Sequence, residues 1–320
     1  MDLAGLEARA DELDRAALAA PEIDRFCSSS AWVLPAAVTL MDPGDPWLVF
    51  EPDGFLSMVV RRHERMRAVE SLEAAWGLAS PLVGPDAGRL AGLASEVLRA
   101  REGSWDVALL SGLPVGSRLL AECAARLGVR YRLGVGPVTR RHTASLAGGV
   151  DGFLGRRSRQ LRKTLRQAER RAAAAGVVFE DAAAGDVDAL YERVLAIEER
   201  CWKARDGIGI TVPDFREFYR LMVRRLAAVG RLRALVATAG GRDVAYVLGA
   251  VFGDTYRGLQ FSFDDEHRAL GLGNLAQLAQ VRLLAEREPA VVQYDLGTGG
   301  EYKAAWAEAV MDSVILIAAR

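Results

Sequence analysis

Apolar residues in this chain repeat in short runs at the two-residue period of strands, alternating with longer runs at the period of helices, which confines it to a mixed α/β fold. In the first half, Leu6, Ala10, Leu13 and Ala17 space a helix over 4–18 that Pro21 closes. Apolar runs at 47–50 and 55–60 flank Glu51, Pro52, Asp53 and Gly54, the pattern of a β-hairpin. Helices are expected over 86–101 and 114–127, and strands over 105–110 and 129–135. The pattern changes at Ala147-Gly148-Gly149-Val150, which sets expected domains of 1–147 and 148–320. Beyond it comes a long helix over 152–175, ended by Gly176 before a strand at 177–180, then helices over 186–203 and 213–229. Strands over 232–238, 244–252 and 255–263 precede a helix over 274–287, a strand over 290–296, a short helix near 301–308 and a last strand over 313–318.

At 320 residues the chain can bury a core without help from a metal or a disulfide. Its 41 basic and 42 acidic residues nearly cancel, which argues against a globally basic nucleic-acid binder, so no DNA partner is expected. Cys27, Cys123 and Cys201 form no CxxC pair and His63, His142 and His267 stand alone, so neither a disulfide framework nor a metal centre is expected. No apolar run approaches the roughly 18 residues of a membrane span. The acidic, amphipathic start lacks the basic-then-apolar order of a secretory signal, and the cytoplasm is the expected compartment. Only Lys163, Lys203 and Lys303 are lysines, which makes each of them worth locating.

The segment from Gln260 to Leu275 reads strand, loop, helix, with Arg268-Ala269-Leu270-Gly271-Leu272-Gly273 at the junction and Asn274 after it. Gly271 and Gly273 let backbone amides approach an anion, and the start of the following helix adds unsatisfied N–H donors and a favourable dipole. Arg268 can add charge to the same anion, and a pyrophosphate fits this better than a single carboxylate. The similar string Arg89-Leu90-Ala91-Gly92-Leu93-Ala94 lies inside a continuous helical run, where packing accounts for it.

This arrangement resembles the coenzyme A pyrophosphate loop of the GNAT acyltransferase superfamily. Three further blocks, 158–170, 198–203 and 294–306, resemble the GNAT-like branch associated with cellulose-biosynthesis acetyltransferases, kin of the Fem-type aminoacyltransferases. The resemblance implies a tandem GNAT-like fold, two mixed, mostly antiparallel sheets flanked by helices. It also implies a degenerate first domain and a second that binds acetyl-CoA or another acyl-CoA at Arg268, Leu270, Gly271, Leu272, Gly273 and Asn274. An acyl group would pass by direct attack to an amine or hydroxyl of a small molecule, glycan or peptide, with the strand edge before Asp264 offering amides to the thioester oxygen. By the same resemblance Tyr302 stands where the superfamily often places the acid for the departing thiolate. Lys303 is suited to hold an anionic acceptor or to stabilise developing charge. Asp295, Glu301 and Glu199 are the candidates for base, with a structural hydrogen bond the competing role of Asp295.

Trp202 and Lys203 are expected at the wall and rim of an acceptor pocket, with packing on the core the alternative for Trp202. Cys201, with no histidine near in sequence, is a poor candidate for an acyl-accepting thiol. Arg159, Lys163, Arg166 and Arg170 recur at steps of four, three and four along one helix stripe. That stripe is either a solvated face or a wall for a polyanion such as cofactor phosphate, an acidic glycan, an acidic carrier protein or the end of a tRNA. Two other functions stay open. One is an aminoacyl-tRNA-dependent, Fem-like transferase, although 213–229 reads as one ordinary helix without the helical arm of that class. The other is a non-catalytic GNAT-like binding module.

Overall fold

The computed structural model describes residues 2–320 apart from 43 and 53, so Asp53 of the expected hairpin turn lies outside the described residues. The strands, in chain order, are β1 (Asp45–Glu51), β2 (Gly54–His63), β3 (Met66–Ser71), β4 (Leu82–Val83), β5 (Val107–Pro114), β6 (Arg132–Val135), β7 (Thr139–Ser145), β8 (Val178–Asp181), β9 (Leu232–Ala239), β10 (Arg242–Phe252), β11 (Thr255–Phe263), β12 (Gln293–Thr298) and β13 (Ala309–Ala319). They fall into two compact units, Met1–Arg140 with Met311–Arg320, and Arg141–Val310.

In unit 1 the β-branched and aromatic residues of β1 and β2 pair antiparallel as the pattern requires, with Trp47 opposite Met58 and Val49 opposite Leu56. β3 continues the meander, and the chain then crosses over through the helix Ala87–Ala100 to β5, which lies parallel to β3. That parallel pairing lasts only from Ala68 opposite Val107 to Glu70 opposite Leu109. β13 closes against β5 and β6, both antiparallel. The segment between β3 and the crossover helix is mostly buried, which is costly for irregular backbone unless its polar groups find partners. Glu73, fully buried, supplies them: its carboxylate accepts from the amides of Trp76 (2.6 Å), Leu78 (3.1 Å) and Ala79 (3.2 Å). The crossover helix is closed at its start by Asp86, which accepts from Arg89 N at 3.0 Å.

Unit 2 repeats the plan. β8 to β11 form an antiparallel meander, the chain crosses over through the helix Leu272–Arg287, and β12 returns parallel to β11. On its other edge β12 pairs antiparallel with β7. The core is Phe153, Leu161 and Leu165 from the preceding helices, Leu278, Val281 and Leu284 from the crossover helix, and Tyr256, Tyr294 and Trp306.

Several boundaries differ from the sequence pattern for local reasons. The expected helix over 152–175 is two, Gly149–Gly155 and Arg159–Ala174, because Ser158 caps the second by accepting from Leu161 N at 3.1 Å. The helix over 186–203 stops at Glu198, and Trp202–Arg205 forms a separate short turn of helix. A helix over Ser30–Thr39 was not legible because it is apolar on every side; Ser30 to Ala37 are all buried. Glu73→Ala is expected to lower unfolding free energy by about 3 kcal/mol, the cost of orphaning buried amides, measurable by urea denaturation.

Candidate active site

The site is set by where two strands part. β11 and β12 pair in parallel only from Thr255 opposite Gln293 to Arg257 opposite Asp295. At that point Asp295 is gripped from both sides, 2.8 Å from Arg257 Nη1 and 3.3 Å from Arg141 Nε, while its other oxygen accepts from Gly297 N at 2.8 Å. All three side chains are buried. The register of β12 against β7 shifts between Asp295 and Gly297, a bulge that Gly297 accommodates at φ +72°. Beyond it β11 keeps an open edge, and the carbonyl of Phe261 finds Lys203 Nζ at 2.9 Å instead of a neighbouring strand.

The loop after β11 begins at Asp264, which is buried and tied to Arg200 (2.7 Å) and Arg242 (3.0 Å). A short 3-10 turn, Asp265–Leu270, leads to Gly271 at φ +75° and the helix Leu272–Arg287, whose start no side chain caps. The first amides of that helix are therefore available. A Cβ on Gly271 would stand 3.1 Å from Ala168 Cβ and 3.6 Å from Arg171 Nη2, so the helix Arg159–Ala174 carries Arg171 to the loop. Arg268 is exposed and bonded to Asp265 at 2.9 Å. These groups fit a phosphate ligand. Packing also keeps Gly273 small: a Cβ there would press on Phe261 and Phe263 at 3.1–3.3 Å. Leu272 is core, Leu270 packs against a core cluster, and Asn274 Oδ1 accepts from Trp306 Nε1 at 3.3 Å, so these three side chains are committed within the protein.

At the parting of the strands stand Tyr302 and Lys303. Tyr302 is 42% exposed, its ring meets Phe261 edge-on at 5.7 Å, and partial desolvation against that contact raises the pKa of its phenol. Lys303 Nζ donates to Thr298 O at 2.5 Å. Burial, then Arg257, and further Lys203, hold its ammonium down to about 8, against the opposing pull of Asp295. Lys203 donates to Gln260 Oε1 and Glu198 Oε1, both at 3.2 Å, as well as to Phe261 O.

The carboxylate behind Lys203 is Glu198, one position before Glu199, the candidate base. Glu198 is fully buried and also accepts from Tyr246 Oη and, at 2.9 Å, from Cys201 Sγ. Helical spacing carries the signal that could have found it: Tyr191, Val194, Leu195 and Glu198 share the buried face. Glu199 is exposed beyond the end of that helix, and Asp295 has its oxygens committed to arginines and an amide, so neither is placed as a base. Glu301 is exposed. The Cys201 thiol is buried, and that burial followed by Glu198 raises its pKa, which suits a structural hydrogen bond. Trp202 is 39% exposed rather than packed on the core. Arg159 and Lys163, with Arg166 and Arg170, lie opposite the buried face made by Leu161, Leu165, Ala168 and Ala172, and point to solvent. Arg171, which does reach the loop, sits off that stripe, and Arg141 and Arg257 stood unremarked among strand residues.

Residues 159–304 match the model of the acetyltransferase (GNAT) domain. The fold is tandem GNAT-like. No curated protein matches the chain. Among solved structures it is similar to a conserved protein of unknown function from Bacteroides thetaiotaomicron, with TM-score 0.67, 11% identity and coverage of 100% of this chain and 98% of that one. It is similar to FemX, with TM-score 0.63, 12% identity and 95% of each chain covered. A tandem GNAT protein from the clavulanic acid biosynthesis pathway gives TM-score 0.50, 16% identity and coverage of 100% and 97%. At these identities the likenesses speak to fold. Within the GNAT-like unit 2, the uncapped helix start and the parted strands occupy the two ends of β11 and the loop that follows it. Asp295→Ala, which leaves two buried guanidiniums without their counter-charge, is expected to cost about 3–5 kcal/mol of stability. Glu199→Ala is expected to stay within about 0.5 kcal/mol, both read by thermal or urea denaturation.

Proposed function

We propose that this chain is an acyltransferase that takes an acyl group, most simply acetyl, from acyl-CoA and passes it to an amine or hydroxyl acceptor. The observation that carries the reading is the uncapped start of the helix Leu272–Arg287, with Gly271, Arg268 and Arg171 gathered at it. When bound there, acyl-CoA would supply the activated acyl group as a thioester. The first amides of the helix and the two guanidiniums would hold its phosphates, and the open edge of β11 would orient the thioester arm. Tyr302 would donate its proton to the departing sulfur and recover one from the acceptor nitrogen or oxygen, so that the new bond to the acyl carbon forms as the carbon–sulfur bond breaks and the proton is conserved. No carboxylate is then required as base, consistent with the commitments of Asp295 and the exposure of Glu199. Its raised pKa keeps the Tyr302 phenol protonated and able to donate.

Among the described residues of unit 1 the crossover helix does not offer the matching features. Asp86 already occupies the start of its crossover helix, where the amide of Arg89, then that of Gly88, holds it below the ordinary carboxylate range, and a fixed negative charge there repels phosphate. The finer likeness to the cellulose-biosynthesis branch and a cytoplasmic location belong to the same proposal. The described helices include none long and apolar enough to cross a membrane.

The test is calorimetric titration of acetyl-CoA, CoA and desulfo-CoA into the wild-type chain and two variants. Gly271→Asn tolerates the left-handed backbone and shares any packing penalty against Ala168, so it should keep most of the affinity. Gly271→Asp adds the same bulk with a negative charge and should lose it at least tenfold. No binding to the wild type at millimolar CoA would overturn the donor. Tyr302→Phe should bind acetyl-CoA as the wild type does and release thiol about a hundredfold more slowly.

A further inference from the structure

Two arginine-rich helices of unit 2 treat their charges differently. Along Pro213–Ala228, Arg216 and Arg220 meet Glu192, and Arg224 meets Asp188. Along Arg159–Ala174, by contrast, Arg159, Lys163, Arg166, Arg170 and Arg171 are all exposed, and none forms an ion pair among the described residues. Glu169, the acidic residue of that helix, is spent on Arg282 at 2.5 Å. At about 100° per residue, the exposed Gln160 and Gln167 fill the arc between the stripe and Arg171. The outer face is therefore one surface of Arg, Lys and Gln, about 16 Å long from Arg159 to Arg170, without a carboxylate. This arrangement works against the helix that carries it. Like charges three and four residues apart repel, and Arg159 opens a first turn that holds no acidic residue, at the end where the helix dipole disfavours cations. Folding gives no reason for such a face; a partner of opposite charge does. One edge of the face meets the loop before Leu272. Arg171 approaches Gly271, and Ala168 and Ala172 share a core cluster with Leu272 and Leu275. The cationic surface thus begins at the phosphate-binding helix start and continues away from it.

We propose that this face docks an acidic carrier protein, one that holds its acyl group as a thioester on a phosphopantetheine arm. The arm is the one acyl-CoA itself contains, so the same helix start takes its phosphate and the leaving thiol stays on the carrier instead of on CoA. That the arm delivers the donor rests on the acyltransferase reading; the docking face itself does not. Three observations favour a small acidic protein over a nucleic acid. The face carries no aromatic side chain on which an unpaired base could stack. It is the width of one helix, which matches an acidic helix laid along it. The chain as a whole has a net charge of −1, so a long polyanion gains nothing once it runs past the face.

The test titrates a purified bacterial acyl carrier protein of fatty-acid synthesis, in apo and holo forms, into the full chain at low and at physiological salt. The apo form, which lacks the arm, should bind through the face alone and weaken as salt rises. The holo form should bind about tenfold more tightly, and saturating CoA should return it to the apo value. Reversing Arg159, Lys163 and Arg166 together to Glu should weaken apo-carrier binding at least tenfold. These side chains are exposed, so the thermal midpoint should show the fold kept. Reversing the exposed Arg15, Arg62 and Arg65 of unit 1 to Glu makes the same change in net charge and should leave the affinity within about twofold. Loss that is equal in the two triple variants, no apo-carrier binding at low salt, or a holo form no tighter than apo while acetyl-CoA binds would each overturn the proposal. Tighter binding of a tRNA pool than of the carrier would overturn it in favour of RNA. Failure of acetyl-CoA to bind in the calorimetric titration would remove the donor and leave apo-carrier docking as it is, so the two readings fail separately.

Discussion

A buried carboxylate between two guanidiniums governs where the site opens. Asp295 holds Arg257 of β11 and Arg141 of β7 at once, so the three strands are locked together at one level and free to differ above it. Below that level β12 is an ordinary member of a sheet. Above it the bulge at Gly297 turns β12 away, and the edge of β11 is left to be satisfied by side chains. Lys203 and the buried Glu198 behind it take that task. The open edge of β11 is therefore the consequence of a strand pairing that stops after three residues.

The two units use one plan to opposite ends. Each has an antiparallel meander, a helical crossover and a parallel return paired over three residues. In unit 1 the segment before the crossover helix is buried and organised around Glu73, and Asp86 closes the helix start. In unit 2 the corresponding segment is short, half-exposed and ends in a glycine that offers no cap. A helix start can satisfy its amides with a capping side chain, with water or with a ligand; Asp86 does so in unit 1, and no side chain does so in unit 2.

Much of this was legible in the residues. The Arg268–Asn274 junction was readable because a strand, a glycine loop and a helix follow one another locally, and the Tyr302–Lys303 pair because it lies just past a strand end. What was not legible depends on distant contacts. Asp295 reads equally as a base and as a structural hydrogen-bonding residue until Arg141 and Arg257 are brought to it from other strands. Glu199 and Glu198 differ by one position on a helix, and only the buried period of Tyr191, Val194 and Leu195 separates them. The basic stripe was clear as a stripe, but its direction was set by which face Leu161 and Leu165 bury, and that face turns Arg159 and Lys163 outward.

The most direct test of the central claim, that unit 2 alone holds the acyl donor through an uncapped helix start beside an open strand, is amide hydrogen exchange with and without acetyl-CoA. The account predicts slowed exchange over 258–276, greatest at Leu272, Gly273 and Asn274, with no change at the start of the helix Ala87–Ala100. Protection around 86–90, or none over 268–276 under saturating acetyl-CoA, would contradict it.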